Sequence, residues 1–230
     1  MGDHAKPGRP LGAGLALIFD MDGVIVDSNP VHRLAWEALA RRFGLETTEA
    51  MMRQHMYGKR NDEIIRGFFG DGLPPQEIAA RSDAKEEIYR ALVAGRVEGL
   101  LVPGLKEFLK FHRGAPMGLA SNAGRENIDW VLDGSGLREF FQVVVDGHQV
   151  SKPKPHPEIY LRVSEALGVP PGNCIVFEDS YFGVEAGLSA GMRIVGLRTT
   201  HGDLPGTSIT IDNFLSGSLC EWLSVQNRVV

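Results

Sequence analysis

Short runs of apolar residues recur along this 230-residue chain, and in its second half they alternate with segments of helical periodicity. Such short runs are typical of strands that are buried on both faces of a sheet. The predicted strands are Leu15–Phe19, Pro116–Ala120, Gln142–Val145, Asn173–Phe177 and Met192–Leu197. The helices predicted between the later strands are Arg125–Asp133, Pro157–Ala166 and Tyr181–Ala190. This alternation indicates an α/β fold with a Rossmann-like parallel sheet.

The interval between the first two strands departs from that alternation, since it contains helical patterns and no strand pattern. These patterns are Val31–Phe43, Thr48–Met56, Asp62–Phe69 and Pro75–Val93. We therefore predict an α-helical cap domain at residues 29–96, inserted into a core domain formed by residues 15–28 and 97–230. Ser28-Asn29-Pro30 and the segment Gly95–Gly104 carry Gly and Pro at the two boundaries and are candidate hinges.

Composition narrows the range of partners. The net charge of −5 argues against a broad basic surface for nucleic acid or an anionic membrane, and no apolar run is long enough for a transmembrane helix. Residues 1–14 are rich in Gly, Pro and charge, so we expect a flexible N-terminal tail rather than a signal peptide. The presence of two cysteines argues against a stabilising disulfide framework and favours a cytoplasmic location. We expect a monomer that acts on a small molecule.

Acidic residues follow two of the predicted strands. Asp20 and Asp22 stand two positions apart after the first strand, so an extended backbone directs both carboxylates to one side. Glu178-Asp179 follows the fourth strand. Like charges held this close require a cation or a proton between them, and carboxylate oxygens suit Mg²⁺. These acids therefore predict a magnesium site at the carboxyl edge of the sheet, where open parallel sheets bind their ligands.

Residues that could hold an anion follow other strands. Ser121-Asn122 offers a hydroxyl and backbone N–H groups after the second strand, and Lys152 adds a cation on the loop Ser151 to Pro155. Taken singly, each of these residues is more typical of a helix cap, a turn or a solvated loop. Their occurrence together at strand ends favours a site that binds a phosphate group beside a metal.

These motifs resemble those of the haloacid dehalogenase superfamily of phosphoryl-transfer enzymes, and in particular the subfamily with a helical cap that includes β-phosphoglucomutase and small sugar phosphatases. The match extends from Leu15 to about Leu197. The four motifs stand in order as Asp20-Met21-Asp22-Gly23, Ser121-Asn122, Lys152-Pro153-Lys154-Pro155 and Glu178-Asp179-Ser180.

The resemblance implies a role for each core residue. Asp20 would be the nucleophile that forms an aspartyl phosphate, and Asp22 would act as acid and then base. Asp20, Asp179 and the backbone carbonyl of Asp22 would bind Mg²⁺, with Glu178 binding directly or through water. Ser121 and Lys152 would neutralise the transferring oxygens.

The resemblance also implies candidates for substrate binding. His32 in the cap matches both mutases and phosphatases, while Arg60 and Lys85 fall where the mutase has cationic cap residues, and Asn122 lies beside Ser121. After Ser121 the mutase continues with a further Ser and Asn, whereas this chain has Ala123-Gly124-Arg125. We therefore favour a sugar-phosphate phosphatase, with a β-phosphoglucomutase-like activity as the alternative.

Other classes agree less well with the sequence. Dehalogenases and phosphonatases of the superfamily lack the second Asp of the first motif, which is present here as Asp22. A receiver-type module that is phosphorylated on Asp and acts by binding would be about half this length and would have no helical insertion.

Overall fold

The computed structural model describes residues 10–12 and 14–227. Within them the strands are β1 (Ala16–Phe19), β2 (Met117–Ala120), β3 (Val143–Val145), β4 (Cys174–Glu178), β5 (Arg193–Leu197) and β6 (Ile209–Ile211). The first five helices are α1 (Asn29–Arg42), α2 (Glu49–His55), α3 (Asn61–Phe69), α4 (Pro75–Val93) and α5 (Val97–Leu100). The others are α6 (Leu105–Phe111), α7 (Arg125–Ser135), α8 (Glu158–Leu167), α9 (Tyr181–Ser189) and α10 (Gly217–Gln226).

The strands form one parallel sheet in the order β3-β2-β1-β4-β5-β6. The chain proceeds outward from β1 to β3 on one side and then returns to place β4 on the other side of β1. The order of the strands therefore reverses between β1 and β4, and ligands of open α/β sheets bind beyond the carboxyl ends of the strands at such a point.

β1 shows why a short apolar run is sufficient for a central strand. Its four residues are all fully buried. Leu17 and Phe19 pack into the apolar cluster on one face of the sheet, while Ala16 and Ile18 pack into the cluster on the other face. Phe19 stacks on Phe177 of β4 with 4.7 Å between ring centroids. Because both faces are covered, every position of the strand is apolar.

The segment between β1 and β2 contains the predicted helices. Helices α1 to α4 share an apolar cluster of their own, which includes Trp36 of α1, Met52 of α2 and Phe68 of α3. We call α1 to α4 the cap. The two chain connections between cap and core lie side by side, because the N–H of Asp27 donates to the carbonyl of Leu100 at 2.7 Å. The predicted α/β fold with a helical insertion is thereby confirmed.

The two candidate hinges stay predictions, whereas part of the expected tail differs from expectation. Asn29 and Pro30 of the first candidate hinge form the start of α1, and the segment Gly95–Gly104 contains the short helix α5. Residues 1–9 and 13 of the expected tail lie outside the described residues. Leu11, which was also assigned to the tail, is buried against the core, and its N–H donates to Nδ1 of His112 at 3.2 Å. No helix within residues 10–12 and 14–227 combines the length and apolarity needed to cross a membrane.

Candidate active site

The chemically active side chains emerge from the ends of three adjacent strands. Asp20 follows β1 directly, Ser121 follows β2, and Glu178 and Asp179 are the last residue of β4 and its successor. Since β1 lies between β2 and β4, these residues meet at the point where the strand order reverses. All four are at least nine-tenths buried.

A lysine ammonium lies between two of these carboxylates. Nζ of Lys154 donates to Oδ1 of Asp20 at 2.7 Å, to Oε1 of Glu178 at 2.6 Å and to the carbonyl of Ala120 at 3.1 Å. Burial raises the pKa of Asp20 to about 7, Lys154 opposes this rise, and the charges of Glu178 and Asp22 add to it. The lysine therefore favours the ionised, nucleophilic form of Asp20.

Glu178 is held in place by hydrogen bonds on both carboxylate oxygens. Oε1 accepts from Lys154 and from the hydroxyl of Tyr160 at 2.6 Å. Oε2 accepts from the N–H groups of Asp179 and Ser180 and from the Ser180 hydroxyl. Burial alone would raise the pKa of Glu178, but Lys154 and these donors lower it below its ordinary value. Glu178 is thus a fixed anion whose oxygens are already engaged.

Asp179 is oriented by residues from two other segments. Its Oδ2 accepts from Nδ2 of Asn29 at 3.0 Å and from the hydroxyl of Thr200. Gly23 has a φ of +78°, and a Cβ at this position would overlap the Asp179 carboxylate. Burial, together with the charges of Glu178 and Asp20, raises the pKa of Asp179 well above its ordinary value.

This carboxylate cluster fits a divalent metal. One oxygen from each of Asp20, Glu178 and Asp179 lies within 4.8 Å of the others. When all three acids are ionised, Lys154 alone does not balance their charge, and a divalent cation would neutralise the surplus that remains in this buried place. The all-oxygen donor set is the type that Mg²⁺ binds. Asp20 and Asp179 have the freer oxygens, since those of Glu178 already accept from Lys154, Tyr160 and Ser180.

Asp22 lies at the same end of the site but has different partners. Its Oδ1 accepts from the Ser28 hydroxyl and lies 3.1 Å from Nε2 of His32. Nδ1 of His32 lies 2.8 Å from Nζ of Lys85. An ammonium can only donate, so Nδ1 accepts and Nε2 carries the hydrogen that points to Asp22. Burial would raise the pKa of Asp22, but His32, Ser28 and Lys85 bring it below the ordinary value.

Ser121 and Asn122 line the core side of the cavity. The hydroxyl of Ser121 accepts from the N–H of Ala123 at 3.1 Å. Nδ2 of Asn122 donates to the carbonyl of Gly58 in the cap at 3.1 Å, whereas its buried Oδ1 has no hydrogen-bond partner among the described residues. Asn122 therefore connects core and cap and retains a free acceptor.

These side chains share one cavity of about 860 Å³ between core and cap. Its core end carries Asp20, Asp22 and Ser121, and its cap end is formed by residues of α3 and α4. Arg60 lines the cavity, with its Nε 3.3 Å from Oδ1 of Asp62. A cavity of this size accommodates a small-molecule ligand.

Comparison with known proteins agrees with this arrangement. The family described as haloacid dehalogenase-like hydrolase matches residues 15–191. The chain belongs to this family. It is 32% identical over 183 residues to the fructose-1-phosphate phosphatase of Escherichia coli, covering 79% of this chain and 95% of that protein. It is 37% identical over 194 residues to the phosphorylated carbohydrates phosphatase of Thermotoga maritima, covering 79% of this chain and 84% of that protein.

A solved structure extends the likeness to the cap of this hydrolase as well as its core. The crystal structure of β-phosphoglucomutase from Clostridium difficile superposes with a TM-score of 0.83 and 26% identity. The superposition covers 93% of this chain and 97% of that one, so it includes the helical insertion. The expected superfamily and enzyme class are confirmed.

The prediction for one residue of the hydrolase's site, Lys152, is wrong. Lys152 was expected to face the phosphoryl oxygens, but its side chain is exposed and its N–H donates to Oε2 of Glu158 at 3.1 Å. Lys154 is the buried lysine of this loop. Both lysines precede a proline, so the sequence does not distinguish them. The difference arises because Glu158, at the start of α8, holds the backbone of Ser151 and Lys152 on the outer side of the loop.

The structure also adds residues that the sequence analysis did not select. Asn29 and Thr200 orient Asp179, Tyr160 orients Glu178, and Glu86 lies beside Lys85 in the cavity wall. Thr200 follows β5, so an inspection of every strand end would have found it. Nothing in the sequence distinguishes Glu86 from its neighbours, because charged residues occur throughout α4.

Proposed function

We propose that this hydrolase is a Mg²⁺-dependent phosphatase that acts on a small sugar phosphate through an aspartyl-phosphate intermediate. The observation that supports this proposal is the position of Asp20, whose buried carboxylate contacts Lys154 at 2.7 Å and shares one cavity with Asp22 and Ser121. The named phosphatase relatives support the substrate class.

In the first step, the Asp20 oxygen that Lys154 does not hold attacks phosphorus, and the bond from phosphorus to the sugar oxygen breaks. Asp22, which must be protonated when the substrate is bound, gives this proton to that oxygen, and the alcohol leaves. In the second step, water attacks the aspartyl phosphate while Asp22 takes a proton from it, so that inorganic phosphate and free Asp20 result. Ser121 and Lys154 would neutralise the phosphoryl oxygens throughout.

Asp20 and Asp179, with Glu178 directly or through water and the backbone carbonyl of Asp22, would hold Mg²⁺. The ion would supply positive charge to the transferring phosphoryl group. Residues 29–96 would act as the cap domain that closes the cavity, which limits access of bulk water. The cytoplasmic location and the monomeric state remain predictions from the sequence.

The proposal is tested by measuring phosphate release from a panel of hexose phosphates with Mg²⁺. The panel comprises glucose 1-phosphate, glucose 6-phosphate, fructose 1-phosphate, fructose 6-phosphate and the two 1,6-bisphosphates. Asp20→Asn should lower the rate by at least ~10²–10³-fold, since an amide is not a nucleophile here. Lys152→Met is the matched control and should keep the wild-type rate. Full activity of Asp20→Asn at an unchanged melting temperature would contradict the covalent step.

A mutase is the second candidate, favoured by the TM-score of 0.83 to β-phosphoglucomutase. The two activities share Asp20 and Asp22 and differ in whether the aspartyl phosphate is passed to water or to a sugar. Supplying β-glucose 1-phosphate with a trace of glucose 1,6-bisphosphate separates them. Formation of glucose 6-phosphate much faster than free phosphate would replace the phosphatase proposal with the mutase.

A further inference from the structure

The cations at the cap end and rim of the cavity are largely neutralised by acids of this chain. Four of them have a carboxylate partner within 4 Å, and the pairs are Arg60 with Asp62, Lys85 with Glu86, Arg90 with Glu126 and Arg125 with Asp129. Lys59 also lines the cavity and donates to the carbonyl of Gln54. A second phosphate on the substrate would need free cations or N–H donors at this end.

Among these acids, Glu86 is the most enclosed. Its side chain is 18% exposed, against 45% for Asp62 and 88% for Glu126. Ion pairs at exposed positions contribute little and break readily, so an arriving phosphate could compete for Arg60 or Arg90. The pair of Glu86 with the fully buried Lys85 cannot exchange partners in this way without leaving a charge unpaired.

Three donors fix the Glu86 carboxylate. Oε1 accepts from Nδ2 of Asn61 at 2.7 Å and from Nζ of Lys85 at 2.8 Å, and Oε2 accepts from Nδ2 of Asn127 at 2.6 Å. Asn61 begins α3 of the cap, and Asn127 belongs to α7 of the core. Burial would raise the pKa of Glu86, but Lys85 and the two amides lower it. Glu86 is therefore an anion at the junction of cap and core.

A carboxylate with three donors still has acceptor capacity, because its two oxygens offer about four lone pairs. A sugar hydroxyl can donate to this capacity, whereas a phosphate dianion cannot and is repelled. Glu86 lies at the cap end of the cavity. His32 and Lys85 connect it to Asp22 at the core end, through contacts of 3.1, 2.8 and 2.8 Å.

We propose that Glu86 is a specificity-determining residue that accepts a hydroxyl of the substrate's sugar portion and excludes a second phosphate group. This inference rests on the proposed phosphatase function and names its substrate class as hydroxyl-rich monophosphates.

The test compares four proteins: the wild type, Glu86→Gln, Glu86→Asp and the control Glu87→Gln. Gln keeps the shape of Glu86 without its charge, Asp keeps the charge, and Glu87 is an exposed neighbour on α4. For each protein, kcat and KM are measured on the preferred hexose monophosphate of the panel and on the corresponding 1,6-bisphosphate. Circular dichroism and the melting temperature report whether each variant is folded.

The wild type should prefer the monophosphate by at least about tenfold in kcat/KM, as expected for one unfavourable charge contact at a partly buried site. Glu86→Gln should reduce that preference by about tenfold, chiefly by lowering KM for the bisphosphate. Glu86→Asp and Glu87→Gln should retain it.

An unchanged preference in folded Glu86→Gln, or an equal change in Glu87→Gln, would overturn the inference while leaving the phosphatase proposal intact. If Glu86→Gln does not fold, the substrate preference of the wild type is the test. Equal kcat/KM values for the monophosphate and the bisphosphate would refute exclusion of the second phosphate. Absence of phosphate release from the whole panel would instead refute the proposed function, and the inference with it.

Discussion

Replacement of Lys154 by Met tests which of the two lysines in the loop between β3 and α8 acts in the site. The change removes an ammonium that contacts Asp20 at 2.7 Å and Glu178 at 2.6 Å, and it replaces that ammonium with an apolar group of similar length. The lysine side chain is 2% exposed, so water does not compensate for the loss. Lys152→Met removes the same charge from an exposed position and is the matched control.

The expected loss of stability follows from burial. Breaking a buried ion pair by removing one partner costs about 3–5 kcal/mol, because the other charge is left without compensation. For a chain of this size, each kcal/mol lowers the melting temperature by about 2–4 °C, so the expected decrease is roughly 6–20 °C. Lys152→Met should change the free energy of unfolding by no more than about 0.5 kcal/mol.

The expected loss of activity has an electrostatic cause. Lys154 is the cation that opposes the rise in the pKa of Asp20, which is about 7 with the lysine present. Without it that pKa rises further, so Asp20 is mostly protonated at pH 7 and is a poor nucleophile. Together with the loss of charge on the phosphoryl oxygens, this should lower kcat by at least ~10²–10³-fold.

Urea unfolding and phosphate release measure the two effects. Mg²⁺ should restore part of the stability of Lys154→Met, since it neutralises the carboxylates that the lysine leaves behind. Loss of activity in Lys152→Met with wild-type behaviour of Lys154→Met would refute the assignment. A stability of Lys154→Met equal to that of the wild type without Mg²⁺ would show that the buried charges are compensated by another group.

Three further changes test the surroundings of the site and the core. Gly23→Ala should lower the rate of phosphate release and raise the Mg²⁺ concentration for half-activity, because a Cβ would displace Asp179; unchanged activity would contradict this. Tyr160→Phe should lower the free energy of unfolding by about 1–3 kcal/mol, since Glu178 loses a buried donor, and urea unfolding at constant Mg²⁺ checks this. Burial lowers the pKa of His112 to about 4, so the stability that depends on its neutral form should be present above about pH 6.5 and lost as the pH falls toward 4. In His112→Asn this decrease should be absent from urea unfolding between pH 7 and pH 4.

The sequence was sufficient to predict the central part of the fold. All residues of β1 and β4 are buried, and short apolar runs are typical of such strands in an α/β chain. The edge strand β6 was not predicted. It has three residues, two of them half-buried, and this is too short for an apolar run that would indicate a strand. Helix α10 was also not predicted, since its apolar positions do not repeat with a clear helical period and only Leu219 and Leu223 are buried.

The site could be predicted only as far as the ends of the strands. Asp20 and Glu178 follow apolar runs, so their meeting follows from parallel topology. Contacts between cap and core have no comparable rule. That Asn122 reaches the carbonyl of Gly58 and that Glu86 reaches Asn127 depends on how the cap is seated on the core, and each of these residues is unremarkable in its own segment.

Replacement of His32 by Phe tests how the cap controls the proton of Asp22. The His32 ring stacks on Tyr89 with 3.9 Å between centroids, and Phe can keep this packing while losing the N–H that points to Asp22. His32 and its neighbour Lys85 lower the pKa of Asp22, so the carboxylate stays ionised to more acidic pH than it would alone. Water attack on the aspartyl phosphate needs this ionised form as the base.

In His32→Phe the pKa of Asp22 should therefore rise, and the acidic limb of the pH profile of kcat should move to higher pH. Arg33→Gln, which removes a partly exposed charge one residue further along α1, is the control and should leave the limb in place. An acidic limb that is identical in His32→Phe and the wild type would show that Asp22 is not the base of the second step. A limb that moves to lower pH would contradict the sign of the interaction, because removing a donor to a carboxylate cannot favour its ionised form.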